Sequence, residues 1–197
     1  VLVGPRVPLG IVAAVAIAVD LVAMPQLFPV VRLGDAWLVG EAVAVAVCFV
    51  PAQLLARWTR TDSRLPYRAG LLALAFAGIA LALLPAVILE QSGGSWRPLL
   101  DRSGWVTGIL LQLVGVAGLL GVSAVQEFAT RGLGTPIPFD APRRLVSTGP
   151  YAYVANPMQL STALVMVAWG AMLESVWVAA AGVMAVVYGA GFAAGDE

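Results

Sequence analysis

The chain has 197 residues, of which 60% are hydrophobic and only 11% are charged. A soluble domain carries about 25% charged residues, so the composition excludes an ordinary water-soluble fold and favours an integral membrane protein. Eleven arginines balance eleven acidic residues, with no lysine, no histidine and no basic run, which argues against nucleic acid as a partner. The only cysteine, Cys48, lies in an apolar stretch, so neither an intramolecular disulfide nor a metal site is predicted.

Four apolar stretches are long enough to cross a bilayer, whose hydrocarbon core of about 30 Å requires roughly 20 residues of helix. They cover residues 7–30, 36–58, 67–89 and 104–126. The apolar stretch 157–194 is too long for one span, and Gly170, Glu174 and Ser175 near its middle predict a tight turn between two helices. The predicted fold is therefore an all-α, polytopic transmembrane helical bundle of about six spans that ends in a helical hairpin.

Two regions are predicted along the chain. Residues 1–126 form a four-span transmembrane region, and residues 127–197 combine a motif-bearing loop with the C-terminal hairpin. The bilayer itself is the first predicted partner of both regions, while nothing in the sequence indicates an oligomeric state.

The placement of arginines predicts the orientation, because short cytoplasmic loops carry an excess of positive charge. Three arginines lie on one side of the predicted spans: Arg32, Arg97 and Arg102. The other eight lie on the opposite side: Arg6, Arg57, Arg60, Arg64, Arg68, Arg131, Arg143 and Arg144. Both chain ends and the loop 127–156 are therefore predicted to face the cytoplasm. Arginine without lysine, together with abundant alanine and valine, is typical of a GC-rich bacterial gene, and so we expect the bacterial inner membrane.

Prolines and glycines occur within the predicted spans. The prolines remove backbone donors and are expected to kink their helices: Pro25, Pro51 and Pro85. Such kinks either pack against neighbours or open a ligand cavity. Small residues at short spacing are expected to let helices approach closely: Gly104, Gly108, Gly115, Gly118 and Gly121.

Asp20 lies deep within the first predicted span. An ionisable group at that depth is costly and by default indicates function. A structural pairing with a polar residue of another helix, such as Gln112, is an equally good explanation. The sequence leaves both open.

The loop before the hairpin has a different composition from the spans. Gly132 and Gly134 permit unusual backbone angles, and three prolines enforce extended geometry: Pro136, Pro138 and Pro142. Asn156 is a predicted N-cap and Pro157 suits the first turn of the helix that follows. The amino end of that helix, close to Gly149 and two tyrosines, is suited to hold a carboxylate or phosphate. A well-ordered interhelical loop would use the same residues.

The same loop carries an ordered motif. It reads Gly-x-Gly-Thr-Pro-x-Pro from Gly132 to Pro138 and Leu-Val-x-x-Gly-Pro-Tyr-x-Tyr-Val-x-Asn-Pro-Met from Leu145 to Met158. This run resembles the isoprenylcysteine carboxyl methyltransferase family, which is related to the membrane phospholipid methyltransferases. The resemblance is close over residues 131–160 and loose over the hairpin and its acidic end. The first three spans share only their hydrophobicity with the family.

The resemblance implies an integral membrane methyltransferase that uses S-adenosylmethionine, for carboxyl O- or amine N-methylation. The cofactor is expected at the cytoplasmic face, and a lipid-like acceptor is expected to enter from the bilayer. Asn156 and Glu197 are the implied catalytic residues. The implied cofactor-binding residues are Gly149, Pro150, Tyr151, Tyr153, Asn156, Pro157 and Glu197. For a bacterial protein, a small isoprenoid, quinone-like or phospholipid acceptor is favoured over a prenylated protein.

Several positions depart from the family's pattern. Arginine is often found where Ala152 and Ala155 stand, histidine where Asn156 stands, and tyrosine where Gln159 stands. The loss of both arginines removes bidentate anchors for an anionic group. The family also continues past the last helix into a polar segment, so we expect further sequence after Glu197.

Two other classes of function compete with the enzyme. A non-catalytic membrane scaffold or partner subunit that retains the fold is favoured by Ala152 and Ala155. Asp20 and the proline kinks are the features that favour a transporter, but few polar residues lie within the spans to line a pathway.

Overall fold

A computed structural model describes residues 7–137 and 140–195, with side chains as far as Val187. Within these ranges the chain is helical and forms no strand. The helices in chain order are α1 (Leu9–Gln26), α2 (Trp37–Arg60), α3 (Leu65–Ser92), the short α4 (Pro98–Asp101), α5 (Gly104–Gly132), α6 (Pro157–Met172) and α7 (Val176–Gly195). A 3-10 turn, Gly149–Ala152, lies in the loop before α6.

The all-α membrane fold predicted from the sequence is confirmed. Four helices, α1, α2, α3 and α5, are long and apolar enough to cross a membrane, with 18, 24, 28 and 29 residues. The next two helices form the predicted C-terminal hairpin. Its turn lies at Glu174, whose φ is +54°, and the N–H of Ser175 donates to the carbonyl oxygen of Gly170 at 2.9 Å. With 16 residues, α6 extends about 24 Å, slightly less than the hydrocarbon core.

The chain divides into two compact units after Arg68. In the first unit, the carboxyl groups of Asp20 in α1 and Glu41 in α2 lie close to each other. Glu41 is thus the partner of Asp20 in this unit, a pairing that the sequence did not suggest. A guanidinium nitrogen of Arg57 donates to the carbonyl oxygen of Val7 at 2.6 Å.

Two of the three prolines follow a stretch of π-helix. The wider turns Val45–Phe49 and Ile79–Leu83 each end two residues before a proline, Pro51 or Pro85. A proline ring clashes with the carbonyl four residues earlier and cannot donate to it. The π-helical turn contains that carbonyl in both cases, so the helix continues with locally different geometry. Pro25 lies in the last turn of α1, where little helix follows it.

In the second unit, α6 is the most buried helix and packs between α5 and α7. Its Ser161 hydroxyl donates to the carbonyl oxygen of Ala117 in α5 at 2.6 Å. At the hairpin end, Arg102 binds the carboxylate of Glu174 at 2.7 Å and the carbonyl of Ala171 at 3.1 Å. These bonds fix the turn between α6 and α7.

Close helix packing uses different glycines from those expected. Among the five predicted positions, only Gly121 has a close neighbour: a Cβ there would lie 2.5 Å from the Ser161 hydroxyl. The other four have open space where a Cβ would stand: Gly104, Gly108, Gly115 and Gly118. The tight contacts lie within the hairpin, at Gly170 against the backbone of Ala179 and at Gly182 against Ala163. The prediction was therefore wrong for most of α5, because glycine spacing does not say which face meets another helix.

Candidate functional site

The first half of the loop folds back on itself around Gly132 and Gly134. The backbone N–H of Arg143 donates to the carbonyl of Gly132 at 2.8 Å. A Cβ on Gly134 would lie 2.6 Å from the backbone of Pro142, and one on Gly132 would lie 2.9 Å from the same proline's side chain. Both glycines of the motif are therefore required by the close approach of Pro142, which is a structural role.

Thr135 stabilises this part of the loop by two hydrogen bonds to Asp140. Its side chain is fully buried, and its hydroxyl lies 2.9 Å from a carboxylate oxygen of Asp140 while its N–H donates to the Asp140 carbonyl at 2.8 Å. The ordered loop brings Pro136 to the wall of the cavity described below. The motif thus shapes one end of a cavity.

The second half of the loop contains the Gly-Pro-Tyr turn, which rests on Glu127 of α5. Gly149 has a φ of +59°, and a Cβ there would lie 2.8 Å from the Cγ of Glu127. The hydroxyl of Thr148 donates to the Glu127 carboxylate at 2.7 Å, and Arg131 pairs with the same carboxylate at 3.0 Å. Glu127 therefore positions the turn by contact and by hydrogen bond.

Tyr151 is the half-buried aromatic residue of the turn. Its ring packs against Phe128 of α5, with ring centroids 5.0 Å apart. Burial disfavours the charged phenolate and raises the pKa of Tyr151 to about 12. The phenol is therefore neutral at physiological pH and presents an electron-rich face.

The raised pKa of Tyr151 predicts how stability depends on pH. Because the folded state holds the phenol proton more tightly than the unfolded state, this stabilisation is complete below pH 10 and is lost as the pH rises from 10 towards 12. We expect phenolate absorbance of the detergent-solubilised protein, after subtraction of the Tyr151→Phe variant, to show a transition near pH 12. A transition near pH 10 would mean that the ring is solvated.

Asn156 and Pro157 begin α6 as predicted. The Asn156 side-chain oxygen accepts from the backbone N–H of Gln159 at 3.3 Å, and Pro157 is fully buried in the first turn. The Asn156 amide nitrogen also donates to the side-chain oxygen of Gln159 at 3.0 Å. Gln159 in turn donates to the carbonyl of Ala185 in α7 at 2.5 Å. The start of α6 is thereby tied to α7.

A cavity of about 450 Å³ lies between α3, α5 and the start of α6. Its size falls within the range of small-molecule sites. Most of its wall is apolar, with large contributions from Phe76, Leu81, Val122, Val125, Met158 and Val165. Four polar side chains reach it, all from the first turns of α6: Asn156, Gln159, Ser161 and Thr162. The cavity is thus a half-open apolar pocket with one polar end.

The structure separates the predicted site residues into three groups. Gly149, Pro150 and Tyr151 form the turn beside Glu127, while Asn156 lines the cavity and Pro157 is buried in the first turn of α6. Tyr153 is 90% exposed and does not line the cavity. Glu197 lies outside the described residues.

Two residues near these groups were missed or undervalued by sequence reasoning. Glu127 was treated only as the start of the loop, although its spacing of four residues from Arg131 indicated an ion pair. Gln159 was noted only as a departure from the family's pattern. Its contacts with Asn156 and Ala185 depend on how α7 packs, so the sequence contained no sign of them.

Comparison with known proteins agrees with the motif. A family model described as phospholipid methyltransferase matches residues 105–193, which include α5, the loop, α6 and most of α7. No curated protein and no solved structure matches the chain significantly. The resemblance that the loop motif indicated is therefore confirmed over residues 105–193, which match the phospholipid methyltransferase family model.

Proposed function

We propose that this protein is an integral membrane methyltransferase that uses S-adenosylmethionine to methylate a lipid-like acceptor at the cytoplasmic face. The observation that carries the proposal is the position of Asn156. It lies seven residues after Gly149 in the family motif and at the polar end of an apolar cavity between membrane-spanning helices. A cofactor on the loop side and an acceptor in the cavity would meet at this residue.

The residues around the turn have the chemistry that such a cofactor requires. The Glu127 carboxylate is 21% exposed, and the rings of Phe128 and Tyr151 lie directly beside the turn. Electron-rich rings favour a cation, and the Asn156 amide offers a donor and an acceptor. When bound, S-adenosylmethionine supplies an electrophilic methyl group on a sulfonium. Gly149, Pro150, Tyr151, Tyr153, Asn156 and Pro157 would hold it, with Glu197 from the carboxyl end.

The protein's contribution to the reaction is then positioning and exclusion of water. The bound cofactor would supply its methyl group to a lone pair of the acceptor, and the acceptor's proton would leave to solvent. Asn156 would orient the acceptor while the apolar wall keeps water from the reacting atoms. This role requires no histidine, which the chain lacks.

The membrane provides the acceptor. The cavity wall is built from α3 and α5, which are themselves long enough to span a bilayer. An apolar molecule in the lipid can therefore reach the cavity without crossing water. The cytoplasmic placement of the site follows from the arginine bias of the loops, and a reporter fused after Arg64 is expected to report a cytoplasmic position.

Cofactor binding by the full chain in detergent tests the proposal. We expect calorimetry to detect S-adenosylmethionine binding that is weakened by Asn156→Ala and Tyr153→Ala. The matched control is Gln112→Ala, which removes an exposed amide from α5 away from the cavity and should leave binding unchanged. Transfer of labelled methyl groups to a membrane lipid extract provides the activity readout.

A scaffold function is the alternative outcome of the same experiment. Ala152 and Ala155 are both exposed, and neither offers a hydrogen bond or charge to a ligand. If S-adenosylmethionine does not bind and neither variant changes any activity, the chain retains the fold as a non-catalytic membrane partner.

A further inference from the structure

The polar end of the cavity has few hydrogen-bond donors that remain available to a ligand. The Ser161 hydroxyl donates to the carbonyl of Ala117 at 2.6 Å. The Thr162 hydroxyl likewise donates to the carbonyl of Met158 at 3.0 Å. Each hydroxyl has one proton, so both can only accept from a ligand. Among the described side chains of the wall, donation to a ligand therefore falls to the amides of Asn156 and Gln159.

These two amides are held in place by each other and by α7. One N–H of Asn156 donates to Gln159, and one N–H of Gln159 donates to the carbonyl of Ala185. A primary amide has two N–H groups and an oxygen with two lone pairs. Each amide thus retains one donor and one acceptor site in a fixed orientation. A hydroxyl group, which both donates and accepts once, matches this pair.

The same chemistry disfavours a charged ligand group. None of the described residues that line the cavity carries a charge, and most of the wall is apolar. A carboxylate, phosphate or ammonium group placed here would lose part of its hydration and gain only neutral partners, which is unfavourable. A neutral hydroxyl loses little and keeps its hydrogen bonds.

We propose that Asn156 and Gln159 select an uncharged acceptor, a long apolar chain that ends in a hydroxyl group, and that Gln159 is the specificity-determining residue. That the selected molecule is methylated rests on the proposed function, whereas the selection itself is a property of the cavity. Gln159 occupies the position at which tyrosine is frequent in the family. After donating to Ala185, Gln159 keeps one N–H for a ligand, whereas a phenol has a single O–H in all.

Binding without S-adenosylmethionine tests the inference separately from catalysis. The full chain in detergent is titrated with a long-chain primary alcohol and with the fatty acid and amine of the same chain length. We expect the alcohol to bind about tenfold more tightly than either charged analogue, because it donates to and accepts from the two amides while neither charged group meets an opposite charge in the described wall. Equal affinity for the alcohol and the acid would overturn the inference.

Gln159→Glu is the informative variant, because it keeps the size of the side chain, removes its donor and adds a negative charge. We expect it to lower the affinity for the alcohol about tenfold and to favour the amine over the acid. Gln126→Glu is the matched control, since Gln126 is exposed in α5 and does not line the cavity. An unchanged ligand preference in Gln159→Glu would also overturn the inference.

Loss of the bond to Ala185 can weaken the variant's fold, so two further measurements separate the causes. Thermal unfolding without ligand reports the packing of α6 on α7, and the order of preference among the three analogues is independent of the fraction folded. Alcohol selectivity without cofactor binding supports the inference and refutes the proposed function. Cofactor binding without alcohol selectivity supports the proposed function and refutes the inference.

Discussion

Replacement of Gly149 by alanine is expected to reduce methyl transfer roughly 100-fold, the scale associated with misplacing a reacting group by about 1 Å. The φ of +59° costs an L-residue about 1–2 kcal/mol. The added carbon would also lie 2.8 Å from the Cγ of Glu127. To relieve this overlap Glu127 must move, which disrupts its bonds to Thr148 and Arg131 and displaces the turn.

Two companion variants identify the cause of the Gly149→Ala effect. Thr148→Val removes only the 2.7 Å hydrogen bond to Glu127. It should therefore weaken the binding free energy of S-adenosylmethionine by about 1 kcal/mol. The double variant Gly149→Ala, Glu127→Ala removes the steric overlap but keeps the backbone strain. Calorimetry with S-adenosylmethionine and methyl transfer to membrane lipids provide the measurements. Wild-type binding and rate in Gly149→Ala would show that this turn does not hold the cofactor.

The second large effect is expected at Gly170, where α6 meets α7. A Cβ at this position would lie 2.5 Å from the backbone nitrogen of Ala179 and 2.9 Å from its Cα. Backbone atoms cannot rotate away as a side chain does, so the two helices must separate. Overpacking of this kind costs about 1–3 kcal/mol. We expect Gly170→Ala to lower the Tm by roughly 2–12 °C, at 2–4 °C per kcal/mol for a chain of this size.

Gly115→Ala is the matched control for Gly170→Ala. Both are helical glycines in apolar surroundings, but nothing lies within 4 Å of the place where a Cβ would stand on Gly115. Alanine also favours a helix over glycine by about 0.5–1 kcal/mol. The control should therefore unfold at the same temperature as the unmodified protein or slightly higher. Equal losses of stability in the two variants would contradict the tight α6–α7 contact.

Much of the fold follows from the sequence, because bilayer thickness and backbone hydrogen bonding constrain a membrane protein strongly. A helix of about 20 apolar residues is the simplest element that satisfies every backbone group in lipid. Composition therefore predicted the four long helices, and the charge of Glu174 marked the hairpin turn. The start of α6 was equally predictable, since Asn156 and Pro157 are favoured locally at a helix amino end.

The loop motif was informative because its residues act within a short stretch of chain. Gly132 and Gly134 are required where the backbone returns past Pro142, and this order of glycines and prolines is specific enough to indicate a family. The match over residues 105–193 confirmed that indication. The methyl acceptor could not be read in the same way, because the residues that would contact it come from separate helices.

The tertiary structure alone decided which faces of the helices meet. Helices that are apolar on every side have no polar face to mark the exposed surface, so spacing could not distinguish Gly121, which contacts Ser161, from Gly115, which contacts nothing. For the same reason the sequence did not indicate that Glu127 lies under Gly149, or that Gln159 binds Ala185 and lines a cavity. The sequence by itself determined that the chain is a helical membrane protein and which segment carries its family motif. The packing of α5, α6 and α7 determined what that segment faces, because in lipid the contacts depend on the fit of side chains across helices and not on hydrophobicity.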